Sequence, residues 1–391
     1  MQRSHVMRVL MVTGVYYPDK NGASLQCMRI ISELKDKVLF SVLTASKYSN
    51  LLDVDVVDGT RVNRIILKNG VIFRLQFLVN LLVFLIKNCR KFDIIHLHGF
   101  SLRSIVIVFI SKLMQKKVVI KMTSFGHDDP LSIRDRSRIQ YFFYSMADAY
   151  IGVSPAFSDV FLKSELNKNK FFQVPNGVDT ELFKPVSNKH ENVKIRKLLG
   201  LPVNMKVILF VGHFSNDKRP DDLLSAWLKT SLSSSLDTSI VFIGRMDTDS
   251  FEIEMQVISK ILKKSQEFLG KNIFFVEETD RMADYYRASD VFVLPSIREG
   301  LPNSLLEAMS SGLTVIATRL QGITDWIIND GVNGYLYEPG DVERLSQLLL
   351  LTLYDDTRRA EIELNARDVI HNNFDISKSS EDIYNIYQNL F

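Results

Sequence analysis

The 391-residue chain has only two cysteines, Cys27 and Cys89, and they show no metal-binding spacing. A reducing cytosol is therefore the natural compartment. An excess of charge is also missing: 48 lysines and arginines against 45 aspartates and glutamates leave a formal charge of +3. That balance gives no reason to expect a nucleic-acid partner. No secretory leader is evident. The first apolar run, "VMRVLMVTGVYY", reads as a buried strand, and no small-residue cleavage pattern follows it. No G-x-G-x-x-G opens the first strand-to-helix turn, which disfavours a dinucleotide-dependent dehydrogenase. What is present, 46% hydrophobic and 24% charged residues, describes a folded chain, and its length calls for two domains.

The chain alternates short β-rich runs with helical patterns, twice. "MRVLMVTG", "VLFSVLTAS", "RVNRIIL", "FDIIHLHG", "KKVVIKMTS" and "AYIGVS" come first. After a polar stretch around Pro175-Asn176-Gly177 come "KVILFVGHF", "TSIVFIGRM", "NIFFVEE", "VFVLPS", "TVIATR" and "GYLYEP". Such alternation predicts two doubly wound, mostly parallel sheets with helices on both faces, an α/β fold of two Rossmann-like domains. The expected divisions are residues 1–185, residues 186–374 and a last amphipathic helix over 375–391. Open α/β sheets bind ligands at the carboxyl ends of their strands, and two of them make a cleft.

One segment stands apart. Val71–Lys91, "VIFRLQFLVNLLVFLIKNCRK", is strongly apolar with basic ends, and Arg74, Gln76, Asn80 and Lys87 interrupt it. It reads either as a helix packed on a sheet or as an amphipathic helix at a membrane surface, not as a clean span.

The chemistry concentrates in "SIREGLPNSLLEAMSSG", Ser296–Gly312. A strand ends at Pro295, a turn-rich loop follows, and Asn303 is placed to cap the next helix, with Gly312 closing it. The amides of Ser304 and Leu305 would face the loop as an anion site. Glu299 precedes the helix and Glu307 lies one turn inside it. Ionised carboxylates accept hydrogen bonds from diols, so a ligand with central phosphates and hydroxyls at both ends would fit. A nucleotide sugar has that shape. The blander alternative is a solvated loop charge and an acid balancing the helix dipole. Lys218 and Arg219, in "FVGHFSNDKRPDDLLSAW", can neutralise a diphosphate. Gly22, after Asn21, would admit close backbone approach, although an ordinary turn explains it as well.

Taken together, the Asn21-Gly22 loop, "DIIHLHG", "VPNGVDTELFKP", "VGHFSNDK" and the two glutamates with seven residues between them resemble the retaining glycosyltransferases of the GT-B fold. The resemblance implies a hexosyltransferase moving sugar from a nucleotide diphosphate, with a UDP-sugar favoured as donor. It implies no cofactor and no metal, and a glycan or lipid-linked glycan acceptor in cell-surface polysaccharide or glycolipid synthesis. Glu307 would hold the ribose and Glu299 the transferred sugar. The segment Gly300, Leu301, Pro302, Asn303, Ser304 and Leu305 would hold sugar and diphosphate, with Lys218 and Gly22 beside them. Two departures matter. His213 stands where the family has Arg, and Arg219, where Gly is common, would compensate. The family's histidine place aligns near Thr123, while the nearest histidine is His127, read either as a sugar-contacting proton carrier or as a loop residue. Asp247–Asp249 reads Asp-Thr-Asp, a common tripeptide from which no metal site is expected. The alternatives are an epimerase or hydrolase on the same architecture, or a non-catalytic sugar- or lipid-binding subunit. The implied setting is cytoplasmic, peripheral on the inner membrane face through 71–91.

Overall fold

The structure, a computed structural model, describes residues 6–48, 50–68, 70–229, 237–246 and 254–391. The Asp247–Asp249 tripeptide lies outside the described residues. Two compact units emerge: the chain up to Gly177 together with Ile376–Phe391, and Val178–Asp375. The turn residues Pro175–Gly177 mark the crossing. The polar stretch to Pro185 belongs to the second unit, since Val178 N–H donates to the Phe374 carbonyl at 2.8 Å.

In the first unit the strands are β1 (Met7–Thr13), β2 (Val38–Ser46), β3 (Val54–Val57), β4 (Thr60–Ile66), β5 (Ile94–His98), β6 (Lys117–Met122), β7 (Ala149–Gly152) and β8 (Phe171–Gln173). They lie in the order β3-β4-β2-β1-β5-β6-β7-β8. All neighbours pair parallel except β3 with β4. The second sheet holds β9 (Lys206–Val211), β10 (Thr238–Ile243), β11 (Ile273–Val276), β12 (Val291–Leu294), β13 (Thr314–Thr318) and β14 (Tyr335–Tyr337). Its order is β11-β10-β9-β12-β13-β14, parallel throughout. Central strands such as β5 and β12 are buried along their whole length, as helices on both faces require. All twelve runs read from the sequence are strands. The two it missed, β3 and β8, are short edge strands of four and three residues, too brief to show a period.

Each order has one reversal point. In the first sheet the chain winds outward to either side of the β1–β5 pair, in the second to either side of β9–β12. The loops leaving those strands splay apart and leave a crevice at their carboxyl ends. The helix Ile376–Gln388 completes the first unit. Its Ile383, Ile386 and Tyr387 join the core of β1, β2 and the helix Gly22–Leu34. Tyr387 hydroxyl bonds to His96 Nδ1 on β5. Gly177 is fixed by this helix: a Cβ there would sit 2.5 Å from Ile376 Cα.

Candidate functional site

In the second unit the crevice lies between the loop after β9, residues 212–219, and the loop after β12, residues 295–302. Sequence reading selected these two loops; the sheet order explains why they meet. Gly244, just past β10, lets the first loop settle, because a Cβ there would lie 2.1 Å from the Gly212 carbonyl oxygen. The loops are then stitched together. Ile297 N–H donates to the Asp217 carbonyl at 2.8 Å, and Arg298 pairs with the Asp217 carboxylate.

Across that seam Lys218 Nζ lies 2.7 Å from Glu299 Oε1. Glu299 is buried, at 9% exposure, and the lysine shields it from water. An ammonium and a carboxylate held this way present both signs of charge at one point. The expected neighbour Arg219 behaves differently. Its backbone is left-handed, φ +50, which explains why glycine suits this position. Its Nε and Nη2 both lie 3.0 Å from the Asp222 carboxylate in the first turn of the helix Pro220–Lys229. That carboxylate raises the guanidinium pKa above its usual value. Arg219 thus answers the two acids that follow it in sequence, bonded to Asp222 and favoured by the charge of Asp221. His213 sits half-buried in the same loop after Gly212.

The helix Asn303–Ser310 begins one residue earlier than an asparagine cap would have it. Pro302 is the cap residue, without a side-chain cap bond, and the Leu305 and Leu306 amides reach its carbonyl at 3.2 and 3.3 Å. The expected open amide of Leu305 is therefore used by the helix itself, and Asn303 is the first helical residue. Ser304 and Glu307 keep their predicted places on this helix. Gly312 has φ +73, and the left-handed C′ residue ends the helix as anticipated. Glu307 is buried, at 6% exposure, and accepts a hydrogen bond from Tyr286 hydroxyl at 2.9 Å. Tyr286, in the helix Met282–Ala288, was not found by sequence reading, since nothing in a 21-residue separation signals a contact. It fixes one oxygen of the carboxylate. Leu301 and Gly300 are buried in the intervening loop.

Gly22 and His127 belong to the first unit. Gly22 opens the helix Gly22–Leu34 directly after Asn21, and Asn21 and Ser24 form a reciprocal capping box, with Ser24 N–H to Asn21 Oδ1 at 3.0 Å. His127 Nδ1 lies 3.0 Å from Asp128 Oδ1, and Nε2 lies 3.3 Å from Arg136 Nη1. Asp128, buried at 3%, is itself held by Thr123 Oγ1 at 2.7 Å and by the Thr123 and Ser124 amides at 3.1 Å. Thr123 and His127 are thus two sides of one carboxylate, the connection the two alternatives lacked. The ring thus has its Nδ1 edge toward the Asp128 carboxylate and its Nε2 edge toward the Arg136 guanidinium.

The family described as Glycosyl transferases group 1 matches residues 192–369, and that described as Glycosyltransferase Family 4 matches residues 20–182. The chain belongs to the group 1 glycosyltransferases. Among curated relatives of this family, an *Escherichia coli* UDP-Gal:alpha-D-GlcNAc-diphosphoundecaprenol alpha-1,3-galactosyltransferase is 31% identical over 56% of this chain and 54% of its own. The match thus spans about half that relative's length. A *Bacillus anthracis* N-acetyl-alpha-D-glucosaminyl L-malate synthase is 24% identical over 77% of this chain and 75% of its own. The crystal structure of *Anabaena* HepE in complex with UDP-glucose aligns at TM-score 0.79 and 19% identity, covering 98% of this chain and 100% of that one. The group 1 glycosyltransferase described here thus has the GT-B fold, two parallel-sheet α/β units.

Proposed function

We propose that this glycosyltransferase transfers a sugar from a nucleotide-diphosphate sugar, with a UDP-sugar favoured, to an acceptor hydroxyl with retention of configuration. The observation that supports it most is the Lys218–Glu299 pair joining the two reversal-point loops, next to a helix carrying the buried Glu307. Glu307, with one oxygen steadied by Tyr286, suits a ribose diol. Lys218 would turn to the diphosphate and leave Glu299 to accept from the hydroxyls of the transferred sugar. The bond between the anomeric carbon and the diphosphate oxygen breaks as the acceptor oxygen attacks. The acceptor proton passes to a leaving phosphate oxygen, and no metal is required once Lys218 and the helix start carry the charge. Positioning and electrostatics supply the acceleration. His127, polarised by Asp128, suits a contact to the sugar or a proton transfer.

The *E. coli* relative's name includes a lipid diphosphate acceptor. For this chain the same acceptor class, a lipid-linked glycan in cell-surface polysaccharide or glycolipid synthesis, agrees with the 71–91 helix. The chain would work from the cytoplasm, peripheral on the membrane. A thermal-shift screen of UDP-, GDP- and ADP-sugars, followed by product analysis with the best donor, tests the transfer. Donor consumption without acceptor would instead mark an epimerase or hydrolase. An equally active Glu299→Gln would remove the assigned site. Flotation with anionic vesicles tests the membrane reading. It fails if the wild type stays in the soluble fraction.

A further inference from the structure

Residues Gly59–His127 contain one acidic residue, Asp93, against twelve lysines and arginines. Asp93 is already taken by Arg8, with Arg8 Nη2 2.6 Å from its carboxylate. The chain as a whole is nearly neutral, so this segment concentrates its positive charge. Its centre is the helix Val71–Asn88, and an 18-residue window within Val71–Lys91 has a mean hydropathy of 1.7 with 17% of it buried inside the protein. By length and composition it could cross a membrane. However, its ends join β4 and β5 of one sheet, and Phe77, Leu81 and Leu85 pack inward, so it lies along the unit. Its outward face is apolar: Ile72, Leu75, Val79 and Ile86 are 80%, 64%, 51% and 50% exposed. The adjoining helices Leu102–Leu113 and Arg138–Ser145 add exposed Leu102, Phe109, Leu113, Ile139 and Phe142.

A third face of the same helix is polar, and it overhangs a groove of about 530 Å³ against β3 and β4. Arg64, Lys68, Gln76, Asn80 and Lys87 line it, with Asp53 as its one carboxylate. Arg64 is 4% exposed. Asp55 and the Leu52 and Tyr17 carbonyls take its terminal nitrogens, while its buried Nε–H has no partner. Lys68 is held at the groove over the Phe73 ring, 5.7 Å from its centroid. Three cations and four amides against one acid, with six apolar side chains beside them, suit an anionic head group joined to hydrocarbon, and the volume suits a head group.

We infer that this groove binds the phosphate head of an anionic amphiphile, whose hydrocarbon lies along the outward face of the helix. The polar face and the apolar face occur on one helix, and a soluble anion would use only the first. An acidic protein partner would meet the cations and leave the apolar face without an occupant. The inference rests on the membrane-side reading of the proposed function and adds a specific head-group site to it.

The test uses the full chain and a short-chain phosphatidylglycerol below its micelle concentration, followed by calorimetry. Binding is expected, about tenfold or more above that of the matching phosphatidylcholine, because each surface cation contributes ~1 kcal/mol to an anionic head group. Lys68→Gln with Lys87→Gln should lose it by about tenfold. Arg90→Gln with Lys91→Gln, equal in charge but outside the groove, should not. Asn80→Trp, which fills the groove and keeps every charge, should lose it at an unchanged melting temperature. Equal losses in the two charge pairs would overturn the groove, and so would indifference to Asn80→Trp. Inorganic phosphate binding as tightly as the lipid would overturn the amphiphile. Groove binding that persists while vesicles are ignored would leave this site standing and sink the membrane reading alone.

Discussion

The two sheets reverse at the same kind of point, yet they furnish it in opposite ways. At the second, ionisable groups come in pairs: Lys218 with Glu299, Arg219 with Asp222, Tyr286 with Glu307. At the first, Thr13, His98 and Lys121 follow one register across β1, β5 and β6, and all are buried. Thr13 Oγ1, both His98 ring nitrogens and Lys121 Nζ have no side-chain partner. Burial holds the Lys121 amine down at about 8 and the His96 ring at about 3. Paired groups can exchange partners with a ligand at modest cost. Unpaired buried ones burden the fold directly. The same architecture therefore carries paired charges at one reversal point and unpaired buried ones at the other.

Several substitutions would break or sharpen this contrast. The largest expected effect is Glu307→Gln. Loss of a charged acceptor for two hydroxyls should weaken UDP-sugar binding by about a hundredfold by calorimetry, with the fold kept because the amide still accepts from Tyr286. Next is Lys121→Met, which should raise the melting temperature at pH 7. The amine's folded pKa of about 8 lies below its unfolded 10.5. The unfolded chain holds more protons between those values, so stability rises with pH across that window. Below pH 8 the full cost is present, on the order of 3 kcal/mol, and the gain from Lys121→Met should fade above pH 10. Lys218→Met should do the reverse and lower the melting temperature, because it strands a buried carboxylate. The lysine is partly exposed, which limits the loss to about 1–2 kcal/mol. Stabilisation by both changes would end the comparison. Tyr286→Phe removes one hydrogen-bond donor to Glu307, and a fall in donor affinity of about fivefold to tenfold with KM more affected than kcat is expected. The smallest effect is Leu75→Asp, within about 0.5 kcal/mol in stability, measured by denaturant unfolding, with vesicle flotation reduced.

The sequence carried the strands and both site loops because their signals are local: period, turn residues and the spacing of Glu299 and Glu307. It did not carry the pairs. Lys218 finds Glu299 across 81 positions, and Asp128 connects Thr123 to His127 only after the chain turns back. The helix start shifted by one residue for a related reason: Pro302 offers a carbonyl that Leu305 and Leu306 both take, which side-chain capping rules do not weigh.

The return of the last helix to the first unit bears on the order of assembly. Val178–Asp375 is continuous, so it is fully synthesised before Ile383, Ile386 and Tyr387 exist. The half of the chain made first is thus the half completed last, and until then His96 lacks Tyr387 and the floor of its core is open. During synthesis that interval exposes the apolar face of the first sheet, and any factor that guards the nascent chain has its work there.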